Sequence, residues 1–302
     1  MPAMQTWKGY LRLMRPANIV TAISDILAGA AIAGYFTNSH WAALQVDPIL
    51  LLVLATIGLY GGGVVFNDVF DADLDKVERP ERPIPSGLID KQKAAVLGSG
   101  LILMAIIAAY FVHHGFYPSC LIAIAIAVAA LTYDKWGKHH AFLGPLNMGL
   151  CRGGNILLGM SVLPAAISEY WFIGIIPVIY ISAITMISRG EVHGGKKSVL
   201  MAAAIFYLLV ISSILFIAYY NSTTLRTLFF LLLFGGMIFL PLQKAMRYPS
   251  GPSIGKAVKA GVLALIVLNA SWAVAFGTVS LALVILMLLP VSIILAKAFA
   301  VT

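Results

Sequence analysis

The densest group of ionisable side chains lies at positions 67–87, in the stretch NDVFDADLDKVERPERPIPSG. An apolar run directly precedes it, so we expect the helix of that run to continue into the stretch. At about 100° per residue, Asn67, Asp68, Asp71 and Asp75 then fall within one arc of the helix surface. Like charges on one face repel each other, so a compensating cation is expected there.

The donor chemistry of this arc favours a hard metal ion. Its ligands are carboxylate and amide oxygens, with no Cys or His in the stretch, and such oxygens suit Mg²⁺. Asp73 falls about 240° from Asn67 and faces elsewhere. Arg79 and Arg82 follow, and guanidinium groups bind phosphate in a bidentate manner. The stretch therefore predicts a Mg²⁺ and diphosphate site, with a solvated interfacial loop as the alternative.

The composition excludes an ordinary soluble domain. The 302 residues are 61% hydrophobic and only 11% charged, whereas soluble proteins are roughly 25% charged. The net charge of +8 is spread along the chain, so nucleic acid need not be a partner. Cys120 and Cys151 both lie in apolar runs, which argues against a disulfide framework.

Long apolar runs indicate a polytopic membrane protein. They occupy 16–36, 48–66, 94–112, 117–133, 143–163, 170–188, 198–219, 225–242, 257–277 and 280–298. Each can cross or nearly cross about 30 Å of hydrocarbon, and their lack of alternation favours helices over a barrel. We therefore expect an all-α bundle of nine or ten transmembrane helices, because the last two runs are barely separated.

The basic residues predict the orientation of these helices. Nearly all of the 20 Lys and Arg residues lie on alternate loops that share the side of the N-terminus. By the positive-inside rule this side is cytoplasmic. The N-terminal segment has no small-residue cleavage site, so we expect the first run to remain as a span. The longest polar segments lie on the same side and predict a cap of short loops over the bundle.

The motif NDxxDxxxD followed by RPxRPIPSG resembles the UbiA superfamily of membrane prenyltransferases. The segment RLMRPANIVTAISDILAGA around Arg15 resembles the first helix of that family. Within it, SRGEVHGGKK and YDKWGKHHAFLGPLNMGLCRGGN are most similar to the EboC subgroup. The resemblance implies one domain over 1–302, with nine helices around a central cavity that opens towards the membrane. It also implies cytoplasmic loops that bind Mg²⁺ and an isoprenyl diphosphate.

Superfamily members carry a second motif, DxxxDxxxG, and this chain departs from it. Glu191 takes the place of the second aspartate and Gly195 that of the glycine, but Ile187 stands where the first aspartate would be. The resemblance therefore implies Glu191 as a metal ligand, with one or two Mg²⁺ ions. Arg189 and Lys196 or Lys197 add positive charge that could replace part of a second ion, and Lys196 is also a candidate for binding the diphosphate. The alternative is a glycine-rich turn whose lysines only set topology.

Other candidates lie in and beside the fourth and fifth runs. Lys135 and Lys138 could hold the diphosphate, and the ring of Tyr133 could face a developing allylic cation. An aromatic-basic interface anchor is the alternative for these three. His193 is a weaker site candidate.

Arg152 is the one basic residue well inside an apolar run. An unpaired arginine at that depth costs at least about 2.5 kcal/mol, so we expect it to face the cavity or a carboxylate. Asp25 either pairs with it or helps to bind the acceptor, and a purely structural buried pair is the alternative. Asn147 and Asn155 lie in the same run as Arg152 and are further cavity candidates.

Together these features predict a Mg²⁺-dependent prenyltransferase with Asp68, Asp71, Asp75 and Glu191 at its centre. It would move an isoprenyl group from an isoprenyl diphosphate to a small polar, aromatic or lipid acceptor, and release pyrophosphate. A UbiA-like scaffold that binds or moves an isoprenoid without transfer is the alternative. A CDP-alcohol phosphotransferase needs a DGxxAR element that the sequence lacks. We expect the cytoplasmic membrane as location and no obligate protein partner.

Overall fold

The computed structural model describes residues 2–36, 47–140, 142–191 and 194–299, and these contain helices and no strands. The α-helices, in chain order, are α1 (Pro2–Met14), α2 (Pro16–Ile32), α3 (Asp47–Phe70), α4 (Ala72–Glu78), α5 (Lys91–Phe111), α6 (Pro118–Lys135), α7 (Leu143–Met160), α8 (Pro164–Tyr170), α9 (Ile175–Ser188), α10 (Lys197–Tyr220), α11 (Thr224–Arg247), α12 (Gly251–Ala275) and α13 (Val279–Ala298). Single 3₁₀ turns follow α6 and α8, at Gly137–His139 and Trp171–Gly174. The predicted all-α fold is confirmed.

Every predicted apolar run contains a helix. Among the described residues, eight helical segments are long and apolar enough to cross a membrane, counting Pro164–Ser188 as one. Helix α2 is shorter, with 17 residues, and α7 is rich in glycine and carries Arg152 and two asparagines. The membrane bundle therefore agrees with the sequence, while its exact number of spans stays a prediction.

Helices α2 and α12 form the centre of the bundle. All twelve residues from 264 to 275 of α12 are buried, as are most of those in α2. Apolar side chains of α9, α10 and α11 pack against one part of this centre, and those of α13 against another. Polar residues on α2 and α12 are therefore shielded from lipid by the surrounding helices.

Glycine brings α2 and α7 unusually close together. A Cβ at Gly29 would lie 2.3 Å from the carbonyl oxygen of Ile156, and one at Gly159 would lie 2.5 Å from that of Ile26. Small residues allow such backbone approach and are common where membrane helices associate. This close contact fixes the position of α2 relative to α7. The polar side chains of the two helices lie about one helical turn away from the contact.

The acidic stretch is not one continuous helix, contrary to our expectation. Helix α3 ends at Phe70, Asp71 forms a turn with φ −84° and ψ −1°, and α4 begins at Ala72. Hydrogen bonds from Asp71 N to Asn67 O (3.0 Å) and from Asp75 N to Asp71 O (2.8 Å) carry the helical path across the break. Helix α4 ends before Pro80, because a residue that precedes proline is disfavoured in helical conformation.

Candidate active site

Asp68 and Asp75 meet beneath a buried arginine. Arg82 donates through Nη1 to Asp75 Oδ2 at 2.7 Å and to Asp68 Oδ1 at 3.3 Å. All three side chains are buried. Asp73 lies outside this group, as predicted, with 77% of its side chain exposed. It pairs with Lys76 at 2.8 Å, and this contact lowers the pKa of Asp73.

A second arginine, Arg15, reaches Asp68 from the start of α2. Its Nη2 lies 2.7 Å from Asp68 Oδ1, so that one oxygen accepts from two guanidinium groups. The backbone of Arg15 is left-handed, with φ 50°, which is uncommon for a residue other than glycine. The other oxygen of Asp68, Oδ2, is buried and has no hydrogen-bond partner among the described residues.

The end of α6 and the loop after it complete the group. Lys138 forms an ion pair with Asp71, so the structure brings this predicted site residue to the acidic stretch. Asn67 donates to Asp134 Oδ1 at 2.9 Å, which leaves its own side-chain oxygen for another ligand. Lys135 instead lies over the exposed ring of Trp136, with Nζ 4.5 Å from the ring centroid.

The compensating charge that the sequence predicts is therefore present as three basic side chains. Arg15, Arg82 and Lys138 face Asp68, Asp71 and Asp75. Within the described residues, no three His, Cys, Asp or Glu side chains already form a metal site. Mg²⁺ commonly takes one or two carboxylates and completes its shell with water and phosphate. The orphaned oxygen of Asp68 and the oxygen-only donors around it fit that ion.

The loop after α9 approaches the same end of the bundle. Partial desolvation raises the pKa of Glu191, and the positive charge of nearby Arg79 lowers it by less. Ile187, at the position of the missing aspartate, is buried in the apolar core. Lys196 is exposed at the start of α10, and Arg189 donates to the carbonyl oxygen of His140 at 2.8 Å. His193 lies outside the described residues.

A polar network lies deeper, between the two central helices and α7. Arg152 Nε lies 2.7 Å from Asp25 Oδ2, so the predicted pairing of these two residues is confirmed. Asn155 and Asn269 donate to Asp25 at 2.9 and 2.7 Å. Arg152 also donates through Nη2 to Thr21 Oγ1 at 2.8 Å. Asp25 thus has each oxygen occupied by donors from other helices.

Tyr133 and Asn147 both lie beside Gly137, in the loop after α6. Tyr133, on α6, is half-buried and close enough to Asp71 and Arg189 to feel their charges. Asn147, on α7, accepts a long hydrogen bond from the thiol of Cys151 at 3.9 Å. Tyr133 is therefore near a carboxylate of the acidic stretch, as a cavity candidate requires, and the roles of both residues stay predictions.

A cavity of about 480 Å³ opens at the opposite end of the bundle. The ends of α2, α8 and α12 line it. Along α2, its lining begins at Ala31, which is about 24 Å from Arg15 at 1.5 Å per residue. This cavity is therefore separate from the acidic stretch.

Sequence reasoning missed several of these contacts. Arg15 entered only through its likeness to a family segment, and its partner lies 53 positions away. Asp134 was passed over beside Tyr133, although it is a buried carboxylate next to the acidic group. Asn269 was also missed, although an amide in the middle of an apolar run signals a need for a polar partner within the membrane.

Comparisons with known proteins show the family of this chain. The sequence profile of the UbiA prenyltransferase family matches residues 25–250. A digeranylgeranylglyceryl phosphate synthase of Saccharolobus solfataricus is 33% identical over 181 residues, which are 60% of each chain. The matched part thus spans about three fifths of this relative.

Solved structures share the fold at low identity. A structure of digeranylgeranylglyceryl phosphate synthase superposes with a TM-score of 0.65 at 20% identity, covering 91% of this chain and 99% of the other. A UbiA homologue from Archaeoglobus fulgidus, bound to GPP and Mg²⁺, gives 0.55 at 12% identity, covering 90% and 99%. Because the family profile covers most of the sequence, this chain belongs to the UbiA prenyltransferase family.

Proposed function

We propose that this protein transfers an isoprenyl group from an isoprenyl diphosphate to an acceptor within the membrane, with release of pyrophosphate. The observation that carries the proposal is the buried group of carboxylates and basic side chains at the junction of α3 and α4. Charged groups within a membrane bundle are costly and mark functional sites. The family membership and the GPP and Mg²⁺ bound to one structural neighbour support this reading.

Mg²⁺ is the proposed cofactor, held by Asn67, Asp68, Asp71 and Asp75, with Glu191 as a further ligand. It would neutralise the diphosphate and so favour departure of the leaving group. Asp68 contributes its unpaired Oδ2, and Asn67 contributes the oxygen that its bond to Asp134 leaves free. With only one carboxylate in the second motif, one ion is better supported than two.

The protein's own cations stabilise the charge that grows on the diphosphate. Arg79 and Arg82 follow the carboxylates directly in the chain, and Lys138 reaches them from the loop after α6. Lys135 and Lys196 are the remaining proposed contacts. Donors that are fixed before the reaction contribute most to such electrostatic stabilisation, because they need not reorganise as the bond breaks.

The acceptor would enter between α2, α6 and α7. Tyr133, Asn147 and the pair of Asp25 and Arg152 are the proposed polar lining there, and apolar surroundings would exclude water from an allylic cation. Relatives named for a glyceryl phosphate product favour a lipid acceptor. A small polar or aromatic acceptor is the alternative.

We further propose that the chain is a single domain over 1–302 in the cytoplasmic membrane, with the N-terminus and the carboxylate loops in the cytoplasm. The basic residues of these loops support that orientation through the positive-inside rule. A cysteine introduced at Lys76, which is exposed on α4, should react with a membrane-impermeant maleimide only in opened cells. Equal labelling of intact cells would contradict the orientation.

Pyrophosphate release by the purified protein tests the transfer reaction. With geranyl diphosphate, Mg²⁺ and a membrane lipid extract as the source of acceptor, Asp68→Ala and Asp71→Ala should each lower the rate at least about a hundredfold, as loss of an electrostatic catalytic group does. Asp73→Ala is the matched control, since its side chain lies outside the group, and it should keep the wild-type rate. Near wild-type turnover in both site variants would reject the metal assignment.

One observation favours a second candidate, an isoprenoid-binding scaffold without transfer. Ile187 is part of the apolar core, so the second motif cannot supply its usual pair of carboxylates. Binding of geranyl diphosphate without pyrophosphate release would support the scaffold. Glu191, the carboxylate that remains in this motif, is tested by measuring the Mg²⁺ dependence of Glu191→Gln. A Mg²⁺ dependence equal to that of the wild type would remove Glu191 from the site.

A further inference from the structure

The three carboxylates that form ion pairs in the site balance the formal charge of their three basic partners. Asp134 is buried beside them and accepts a hydrogen bond from Asn67. Asp68 binds Arg15 and Arg82, Asp75 binds Arg82, and Asp71 binds Lys138. These pairs are buried or largely so, with exposed side-chain fractions from 3% at Asp68 to 28% at Arg15. Screening by water is weak at such depth, so formal charge balance governs what can enter.

Neither Mg²⁺ nor a diphosphate fits this group of ion pairs when it binds alone. Mg²⁺ approaching the free Oδ2 of Asp68 would meet two guanidinium groups that already occupy the other oxygen, and it would add two positive charges. A diphosphate alone would add several negative charges beside three carboxylates. Burial of uncompensated charge is costly. If both enter together, the carboxylate oxygens would hold the metal, and the basic side chains released from these oxygens would bind the diphosphate.

We propose that Arg15, Arg82 and Lys138 are exchanged between the carboxylates and the diphosphate, which couples metal binding to diphosphate binding. This inference rests on the proposed function and adds Arg15 as a diphosphate-binding residue. Its left-handed backbone immediately before Pro16 fixes the start of the side chain, while the partly exposed guanidinium can turn to a second partner. Each basic residue therefore weakens the binding of Mg²⁺ alone and strengthens the binding of Mg²⁺ together with the diphosphate.

Calorimetric titration of the purified protein tests this coupling without turnover. The probes are Mg²⁺ and geranyl thiodiphosphate, a slowly reacting analogue. In the wild type, the analogue should tighten Mg²⁺ binding at least about tenfold, and Mg²⁺ should tighten analogue binding by the same factor, because coupling is reciprocal. Equal Mg²⁺ affinity with and without the analogue would overturn the inference.

Two variants carry the sharper test, because the expected effects have opposite signs. Arg15→Gln and Lys138→Gln should bind Mg²⁺ alone several-fold more tightly than the wild type and bind the analogue several-fold more weakly. A residue with only a structural role would weaken both. Lys76→Gln is the matched control, since Lys76 pairs with exposed Asp73, and it should leave both affinities unchanged.

The outcomes separate the inference from the function beneath it. Failure of the wild type to bind the analogue even with Mg²⁺ would reject the proposed transferase. Binding without coupling, or variants that lose Mg²⁺ affinity, would reject only the exchange. Arg82→Gln is not used here, because it strips two buried carboxylates of a shared partner and endangers folding.

Discussion

Breaking the buried pair of Asp25 and Arg152 should destabilise the bundle strongly, whichever partner is removed. Arg152→Met leaves Asp25 with two amide donors, from Asn155 and Asn269, and with an uncompensated charge at 1% exposure. Asp25→Asn leaves the guanidinium equally unpaired. Removal of one partner of a buried ion pair costs about 3–5 kcal/mol, so each single variant should lose that much free energy of unfolding.

The double variant distinguishes charge from hydrogen bonding. The double variant Asp25→Asn with Arg152→Met buries no charge at this site. Its loss of unfolding free energy should therefore be much smaller than the sum of the losses in the two single variants. The coupling energy should then reach about 3 kcal/mol, since breaking either partner alone carries the full penalty. If hydrogen bonds alone held the network, the coupling would be about 0.6 kcal/mol, the average for such bonds in membranes.

Unfolding in dodecyl sulfate, followed by circular dichroism in mixed micelles, measures these free energies. The exposed pair of Lys76 and Asp73 provides the matched control, and its double-mutant cycle should show no measurable coupling. A coupling energy below about 1 kcal/mol for Asp25 and Arg152 would show that the pair is not an energetic unit. The reasoning from buried charge would then fail.

Two further predictions follow from packing and from the loop after α6. Gly29→Ala should cost about 1–3 kcal/mol of unfolding free energy, because its Cβ would meet the backbone of α7. The Cβ of Gly100→Ala would face open space, so this control should be neutral or slightly stabilising. Unfolding in dodecyl sulfate compares the two variants. Lys138→Ala should weaken Mg²⁺-dependent binding of geranyl diphosphate more than Lys135→Ala, because of the two lysines only Lys138 contacts a carboxylate among the described residues. Equal losses in a filter-binding assay would contradict the assignment of Lys138 to the diphosphate site.

The fold was largely predictable because lipid imposes simple rules. Continuous apolar runs must be helical in a membrane, and every such run here contains a helix. The pairing of Asp25 with Arg152 was predictable for a similar reason, since each needed a partner at depth. The break in the helix at Asp71 was not predictable, because residues compatible with a helix flank it and i→i−4 hydrogen bonds cross it. Arg15 was missed as a partner of Asp68 because helical phase relates residues within one helix only.

The second motif shows how packing and charge restrict each other in this bundle. Ile187 fills the apolar core on α9, where an aspartate would need a buried cation as partner. The nearest charged residue of the motif region, Arg189, is instead exposed and bound to a backbone carbonyl. Glu191 is the one carboxylate of that motif, and the cations Arg15, Arg82 and Lys138 already pair with the acidic stretch. An aspartate in place of the buried Ile187 would therefore add a charge that no cation of the acidic stretch is left to compensate.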